Sequence, residues 1–192
     1  MFETLILGVP LQFETADTLF SPHDIDRGTR ALLRRAAFLP EDMVLDLGCG
    51  YGAVGITAAK LIGAERVTMT DGNPLAVRLT RLNAQINGAA GARVLQSDDF
   101  AGIDETGYTL ILCHPPYHED VSAPKMLLEK AFHHLALGGR MMLVSRRQDW
   151  YQNELDAIFG GSLTQEEAGY FVFTAEKRQE NYAKKQERFK FY

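Results

Sequence analysis

The chain of 192 residues is poor in cysteine, with only Cys49 and Cys113. This excludes the disulfide framework on which many small secreted domains depend, and it favours a reducing compartment. Long apolar runs are also missing, since none approaches the roughly 20 residues that a membrane helix needs. No basic leader precedes an apolar run at the N-terminus, as it would in a secretory signal. We therefore expect a cytoplasmic protein without membrane association, and the histidine spacings indicate no metal site.

An excess of positive charge is missing as well. Lysine and arginine number 20 against 25 acidic residues, and the net charge of −5 argues against strong non-specific binding to nucleic acid. Residues 177–192 are the exception, because they carry a net charge of +4 and four aromatic side chains. Such a tail either contacts a polyanion or is a solvated end. We expect one domain over residues 1–192, with an N-terminal extension (1–40), a core (41–176) and this basic tail (177–192).

Short apolar runs alternate with helical segments from Met43 onward. The runs predict strands over residues 43–47, 66–70, 93–96, 108–113, 140–145, 163–165 and 170–175. Helices are expected over 53–61, 74–86, 122–135 and 150–159, the second of them burying Leu75, Leu79, Leu82 and Ile86. This order predicts an α/β fold with a doubly wound, mostly parallel, seven-stranded sheet. A hairpin around Gly8 and a helix opened by Asp26 precede it.

A glycine-rich loop follows the first core strand, where ligands bind in such sheets. It contains Asp46, Gly48, Cys49, Gly50 and Gly52. Glycine permits the tight turn and the close approach of a ligand, although many glycines serve only the turn. The stretch from Gly50 to Gly55 also fits the dinucleotide fingerprint, so a nicotinamide dehydrogenase is an alternative.

Acidic residues follow three successive strands. Asp46 lies in the loop, Asp71 ends the next strand, and Asp98 or Asp99 ends the third, with the spacing from Ser97 favouring Asp98. Carboxylates would repel a pyrophosphate but suit ribose hydroxyls, an adenine amino group and an α-ammonium group. The set therefore favours S-adenosylmethionine over a nicotinamide dinucleotide, and each acid taken alone is equally consistent with a loop or helix cap.

The fourth strand ends in His114, Pro115, Pro116 and Tyr117. Prolines remove N–H donors and stiffen the chain, so that nearby carbonyls remain available as acceptors. Tyr117 can offer a flat face to a planar substrate. Two prolines can also simply end a strand, but the order of the loop, the acids and this corner favours a functional site.

These motifs together resemble the class I, Rossmann-like methyltransferases whose fourth strand ends in Asn-Pro-Pro-Tyr or Asn-Pro-Pro-Phe. The chain is most similar to the small-domain, RsmC-like group of ribosomal RNA guanine-N2 methyltransferases. Besides this corner, the resemblance rests on six stretches: Phe20-Ser21 with Asp26 to Leu33, Leu45 to Gly52, Asp71 with Asn73, Asn83 with Asn87, Ser97-Asp98, and Gly169 to Phe173. His114 departs from the family, which has Asn, Asp or Ser at that position.

The resemblance implies the roles of the site residues. The cofactor S-adenosylmethionine would be bound by Asp46, Gly48, Cys49, Gly50, Asp71, Asn73, Asp98 and His114. The catalytic set would be His114, Pro115, Pro116 and Tyr117, with His114 and the Pro115 carbonyl accepting the hydrogens of the target amine and Tyr117 stacking on the base. No metal is required, because the sulfonium is itself a good leaving group.

The expected activity is methylation of an exocyclic amine, in the first place guanine-N2 of ribosomal RNA, with adenine-N6 as a close variant. RNA is therefore the expected partner, and rRNA processing the expected context. Methylation of a protein glutamine amide, methylation of a small molecule, and a cofactor-binding protein with an altered active site remain alternatives.

Overall fold

The computed structural model describes residues 1–97, 100–115 and 122–182, with the side chains of residues 122 and 123 left out. It begins with an antiparallel hairpin of β1 (Phe2–Ile6) and β2 (Val9–Phe13). Leu7 and Gly8 form its turn, both with positive φ, as a two-residue hairpin loop requires. The predicted hairpin is confirmed.

Seven further strands form one sheet in the order β5-β4-β3-β6-β7-β9-β8. They are β3 (Val44–Leu47), β4 (Val67–Asp71), β5 (Arg93–Gln96), β6 (Tyr108–Cys113), β7 (Leu135–Ser145), β8 (Leu163–Glu167) and β9 (Tyr170–Glu176). The first five strands in this order, β5, β4, β3, β6 and β7, pair in parallel. Strand β9 pairs antiparallel with β7, and β8 pairs antiparallel with β9. The predicted doubly wound, mostly parallel sheet is confirmed.

In the part of the chain that the structure describes, five α-helices cover the two faces of the sheet. They are α1 (Arg27–Arg35), α2 (Ala53–Ile62), α3 (Pro74–Ile86), α4 (Ser122–His134) and α5 (Gln148–Phe159). Because successive strand residues point to opposite faces, Val44 of β3 packs with Leu32 and Ile56, whereas Leu45 packs with Leu128. Helices α1 to α3 therefore lie on one face, and α4 and α5 on the other.

The buried face of α3 differs from the predicted one. Leu79 is buried as expected, but Leu82 and Ile86 are 42% and 39% exposed. Thr80 and Asn83 are fully buried instead. A polar face is buried because α3 also packs against the hairpin, where amide side chains satisfy backbone groups.

Asn83 of α3 and Asn87, which caps the C-terminus of α3, bind the backbone of β2 and of the residue that follows it, and we call this pair the amide clamp (Asn83 and Asn87). Asn87 accepts from the Gln12 N–H at 3.0 Å and donates to the Gln12 carbonyl at 2.8 Å. Asn83 accepts from the Glu14 N–H at 2.7 Å and donates to the Glu14 carbonyl at 2.9 Å. The clamp fixes the hairpin on the helix that follows β4.

The end of α4 also differs from expectation. The helix stops at His134, and β7 starts at Leu135 and runs through Gly138 and Gly139. Leu135 pairs with Tyr108 ahead of a bulge, and a Cβ on Gly139 would lie 2.8 Å from the Tyr108 carbonyl oxygen. Gly139 thus permits a close backbone approach inside a strand, where the sequence had suggested a helix stop.

The described start of the basic tail packs against the body. Lys177 is buried, and its ammonium group donates to the Leu135 carbonyl at 2.9 Å and lies 5.0 Å from the centre of the Phe132 ring. The ring of Tyr182 contacts Phe132 with centroids 5.0 Å apart. Residues 183–192 lie outside the described residues. No helix in the described ranges has the length and apolarity needed to cross a membrane.

Candidate functional site

A cleft of about 600 Å³ opens at the carboxyl ends of β3, β4 and β6. The glycine loop lines one side, and the corner formed by His114 and Pro115 lines the other. Residues of the N-terminal extension, among them Phe20 and Thr29, complete the wall. The predicted loop and corner therefore face a common space.

The glycine loop turns sharply from β3 into α2. Gly48 and Gly50 have φ of +69° and +58°, and a Cβ at either would meet no atom within 4 Å. Side chains there would be strained and would project into the open space of the cleft. The Cys49 N–H donates to the Thr70 carbonyl at 2.9 Å, and the Thr80 hydroxyl donates to the Gly50 carbonyl at 2.8 Å. These hydrogen bonds with Thr70 and Thr80 fix the backbone conformation of the loop.

Asp71 organises the end of β4. One carboxylate oxygen accepts from the Gly50 N–H at 2.9 Å, and the other accepts from the Asn73 N–H at 2.8 Å. Asn73 itself caps α3, because its side-chain oxygen accepts from the Leu75 N–H at 2.9 Å. Both residues line the cleft, so that Asp71 shapes the loop and borders the ligand space at once.

Asp46 lies deeper, on β3, and is almost fully buried. Its carboxylate accepts from the Gly55 N–H of α2 at 2.8 Å. Burial raises the pKa of Asp46 to about 7; the Gly55 hydrogen bond opposes this rise, and the charge of Asp71 adds to it. Asp46 lines the cleft.

His114 follows β6 and is held from the side of α1. Its Nδ1 lies 3.0 Å from the Thr29 hydroxyl and 3.6 Å from a carboxylate oxygen of Asp26. Burial lowers the pKa of His114 below its ordinary value, and the charge of Asp26 opposes that shift in part. The imidazole is therefore biased toward the neutral form, in which one ring nitrogen is an acceptor.

Asp26 links this corner to the far strands of the sheet. It caps α1 by accepting from the Gly28 and Thr29 N–H groups, and it accepts from the Tyr170 hydroxyl at 3.2 Å. Arg146, which follows β7, donates to the same hydroxyl at 3.2 Å and stacks over the Tyr170 ring. A Cβ on Gly28 would lie 2.7 Å from that ring, so the glycine allows Tyr170 to reach Asp26.

The segment with Phe20 and Ser21 forms the outer wall. Ser21 has a φ of +50°, which is uncommon for a residue with a side chain. Its carbonyl accepts from the Tyr51 hydroxyl at 3.2 Å. The glycine loop therefore supports the outer wall through Tyr51.

The structure brings most of the predicted site residues together. The cleft is lined by Asp46, Gly48, Cys49, Gly50, Asp71, Asn73, His114 and Pro115. Asp98, Pro116 and Tyr117 lie outside the described residues. Neither Cys49 nor Cys113 is in a disulfide. In the described ranges, no group of three or more His, Cys, Asp or Glu residues could hold a metal ion.

Sequence reasoning missed the supporting residues of the His114 corner. The sequence predicts that Asp26 opens a helix, and the resemblance includes Asp26 and Thr29, but neither assigns Asp26, Thr29 or Tyr170 a role beside His114. Tyr170 follows Asp26 by 144 residues, and no local pattern links such distant positions. The helix-cap motif at Asp26 was the one local signal.

Comparisons with known proteins agree with this architecture. Ribosomal RNA small subunit methyltransferase C of Pseudomonas putida (strain GB-1) is 36% identical over 181 residues, which cover 91% of this chain and 53% of that protein. The uncharacterized protein YbxB of Bacillus subtilis (strain 168) is 29% identical, over 86% of this chain and 85% of that protein. This chain spans about half the length of the methyltransferase C relatives it matches.

A solved structure of similar fold is the T. thermophilus 16S rRNA N2 G1207 methyltransferase (RsmC) in complex with AdoMet and guanosine. It has a TM-score of 0.82 and 30% identity, and the match covers 92% of this chain and 50% of that one. The sequence model of the methyltransferase small domain matches residues 10–174, from β2 to β9. By sheet order, by the position of its cleft and by this match over most of its length, the chain belongs to the methyltransferase small domain family.

Proposed function

We propose that this chain is an S-adenosylmethionine-dependent N-methyltransferase acting on guanine-N2 in ribosomal RNA. The observation that carries the proposal is the single cleft that joins the glycine loop to the His114 and Pro115 corner. The glycine-loop side suits a nucleoside cofactor, and the corner suits an amine. Transfer of a methyl group from one to the other requires both to lie in one cleft.

The cleft fits the cofactor that the family implies. No lysine or arginine is among its described lining residues, whereas Asp26, Asp46 and Asp71 are. Carboxylates at these positions would repel a pyrophosphate, which argues against a nicotinamide dinucleotide. The absence of Cβ atoms at Gly48 and Gly50 leaves room for a ligand to approach the backbone.

We assign the cofactor site to Asp46, Gly48, Cys49, Gly50, Asp71, Asn73, Asp98 and His114. Asp71 would accept from ribose hydroxyls with the lone pairs that Gly50 and Asn73 leave available. When bound, the cofactor supplies an electrophilic methyl group on a sulfonium that leaves readily.

We assign the catalytic set to His114, Pro115, Pro116 and Tyr117. His114 and the Pro115 carbonyl would hold the hydrogens of the target amine and orient its lone pair toward the cleft. Thr29 and Asp26 fix the imidazole for this task. The neutral His114 can then take up the proton that the amine loses.

Ribosomal RNA is favoured by the relatives. The T. thermophilus enzyme acts on guanine-N2, and its structure holds AdoMet and guanosine. We place the catalytic core at residues 41–176, with the extension over 1–40 supplying Phe20, Asp26 and Thr29 to the cleft. We also propose a cytoplasmic location, which the two cysteines outside disulfides support.

Transfer of a tritiated methyl group from S-adenosylmethionine onto total RNA and total protein tests the proposal. We expect label in RNA, recovered as N2-methylguanosine after digestion. Calorimetry should detect S-adenosylmethionine but no NADH binding. Label found only in protein would contradict the substrate, and binding of NADH without S-adenosylhomocysteine would contradict the cofactor.

A further inference from the structure

Phe20 is the one exposed phenylalanine among those that the structure describes. Its side chain is 58% exposed and lines the cleft. A large aromatic ring left in water forgoes the free energy of burial, so its exposure inside a cleft points to a partner that covers it.

The backbone on both sides keeps this ring in place. Leu19 is buried and anchors the chain before it. Ser21 follows with its positive φ, and its hydroxyl donates to the Asp24 carbonyl at 2.5 Å. Backbone strain of this kind persists only where the surrounding structure maintains it, and it is frequent where ligands bind.

The ring also has a defined relation to the proposed acceptor. Phe20 and His114 have centroids 5.3 Å apart and planes at 86°. A base stacked flat on Phe20 would therefore lie perpendicular to the imidazole. The plane of the base and the plane of the imidazole would then intersect along a line. An amine N–H that lies along this line is in the plane of the base and also in the plane of the His114 ring, where the ring nitrogen accepts hydrogen bonds.

From this geometry we propose that Phe20 is a stacking face for the target base, in addition to the one that the resemblance assigns to Tyr117, and a specificity-determining residue of the reaction. The inference rests on the proposed function, because it takes the substrate to be a nucleobase. Aromatic side chains bind splayed-out RNA bases by stacking of this type. The ring selects a planar group and sets the angle at which its amine meets His114.

The closing experiment compares Phe20→Ala, Phe20→Leu and Phe20→Trp with the wild type. Leu163, which is 59% exposed on β8, gives a matched control as Leu163→Ala. We expect Phe20→Ala and Phe20→Leu to raise KM for RNA about fivefold or more, while Phe20→Trp keeps KM. Affinity for S-adenosylmethionine should be unchanged in all four variants.

Tryptophan fluorescence supplies a readout that does not depend on turnover. The wild type contains only Trp150, so extra emission in Phe20→Trp comes from position 20. Guanosine should quench that extra emission and leave the wild-type emission unchanged. Thermal unfolding checks that each variant is folded.

The outcomes separate the inference from the function. If the wild type methylates RNA but Phe20→Leu has a normal KM, or if guanosine quenches nothing at position 20, Phe20 is not a stacking face. If Phe20→Ala weakens binding of S-adenosylmethionine as much as it weakens binding of RNA, Phe20 contacts the cofactor and not the base. That result would also overturn the inference. Quenching without any RNA methylation would keep Phe20 as a residue that stacks on a nucleobase, but it would reject the proposed function and with it the role of Phe20 in the reaction.

Discussion

At the scale of single residues, His114 couples the proposed chemistry to pH. An imidazole accepts a hydrogen bond only while one ring nitrogen lacks a proton. Burial lowers the pKa of His114, so the neutral form persists below the ordinary value near 6.5. Protonation removes the acceptor and adds a positive charge beside the proposed sulfonium site.

We therefore expect the rate of methyl transfer to fall on acidification, with a midpoint below the ordinary histidine pKa. His114→Asn should remain active and lose this acid limb, because an amide oxygen accepts at every such pH. His114→Ala should lose rate but keep most of its cofactor affinity, because the glycine loop and Asp71 bind the cofactor as well. The measurement is the pH–rate profile of each of the three proteins.

A control is needed because the pKa of Asp46 is raised to about 7, so this carboxyl group titrates in a neighbouring range. Saturating cofactor at each pH removes any effect of Asp46 on binding. Identical profiles for His114→Ala and the wild type would exclude His114 from the mechanism.

Asp71 gives a second residue-scale prediction. Asp71→Ala should weaken S-adenosylmethionine binding by about 1.5–3 kcal/mol, since it removes hydrogen bonds to a charged group. The domain should still unfold cooperatively. Calorimetry measures the loss, and the exposed Asp156 of α5 gives the control Asp156→Ala. Normal binding by Asp71→Ala would refute its assignment to the ribose.

The role of a residue could be predicted where the residues that indicate it are close together in the sequence. The glycine loop and the His114 corner are such stretches, because strand ends and turn residues are local features. The support of His114 by Asp26 and Tyr170 is not local, since it depends on the packing of α1 against β9. The sequence therefore predicted the groups that face the cleft better than the groups that orient them.

At the scale of elements, the amide clamp predicts how the hairpin is held. Asn83→Asp preserves the shape of the side chain but replaces two N–H donors with an acceptor that faces the Glu14 and Tyr51 carbonyls. We expect a loss of about 1–3 kcal/mol in unfolding free energy, with faster amide exchange at Glu14. Denaturant unfolding and hydrogen exchange are the measurements.

Asn153 lies exposed on α5 and gives the matched control Asn153→Asp. This control should unfold like the wild type. Equal stability of Asn83→Asp and Asn153→Asp would mean that the clamp contributes nothing to holding the hairpin.

The order of elements followed from the alternation of apolar runs, but two details did not. The apolar period of α3 predicted burial of Leu82 and Ile86, whereas Asn83 and the C-cap Asn87 turn inward to bind the hairpin at Gln12 and Glu14. The glycines after α4 predicted a helix stop, whereas they belong to a bulged strand. In both places a tertiary contact outweighed the local pattern.

At the scale of the whole molecule, charge is unevenly distributed. The net charge of −5 includes +4 from residues 177–192, so the remainder carries −9. The cleft itself is bordered by three aspartates. A polyanion must therefore find its positive partners outside the cleft.

We expect removal of residues 183–192 to weaken RNA binding more than cofactor binding. This stretch carries a net charge of +3, and phosphate contacts should make the loss larger at low salt. The deletion begins at residue 183 because Lys177 and Tyr182 pack on the body. Filter binding over a range of salt concentrations provides the measurement, and equal RNA affinity at low salt would show the tail to be a solvated end.

The amide clamp has a further consequence for the solubility of the chain. Among the described residues, β2 pairs with β1 on one side only, and a strand with an unpaired edge is a template for aggregation with strands of other molecules. Asn87 and Asn83 occupy the N–H and carbonyl groups of Gln12 and Glu14, which are the groups that an added strand would need. The two side chains of the amide clamp thus cover an open edge, which opposes growth of the hairpin into an intermolecular sheet.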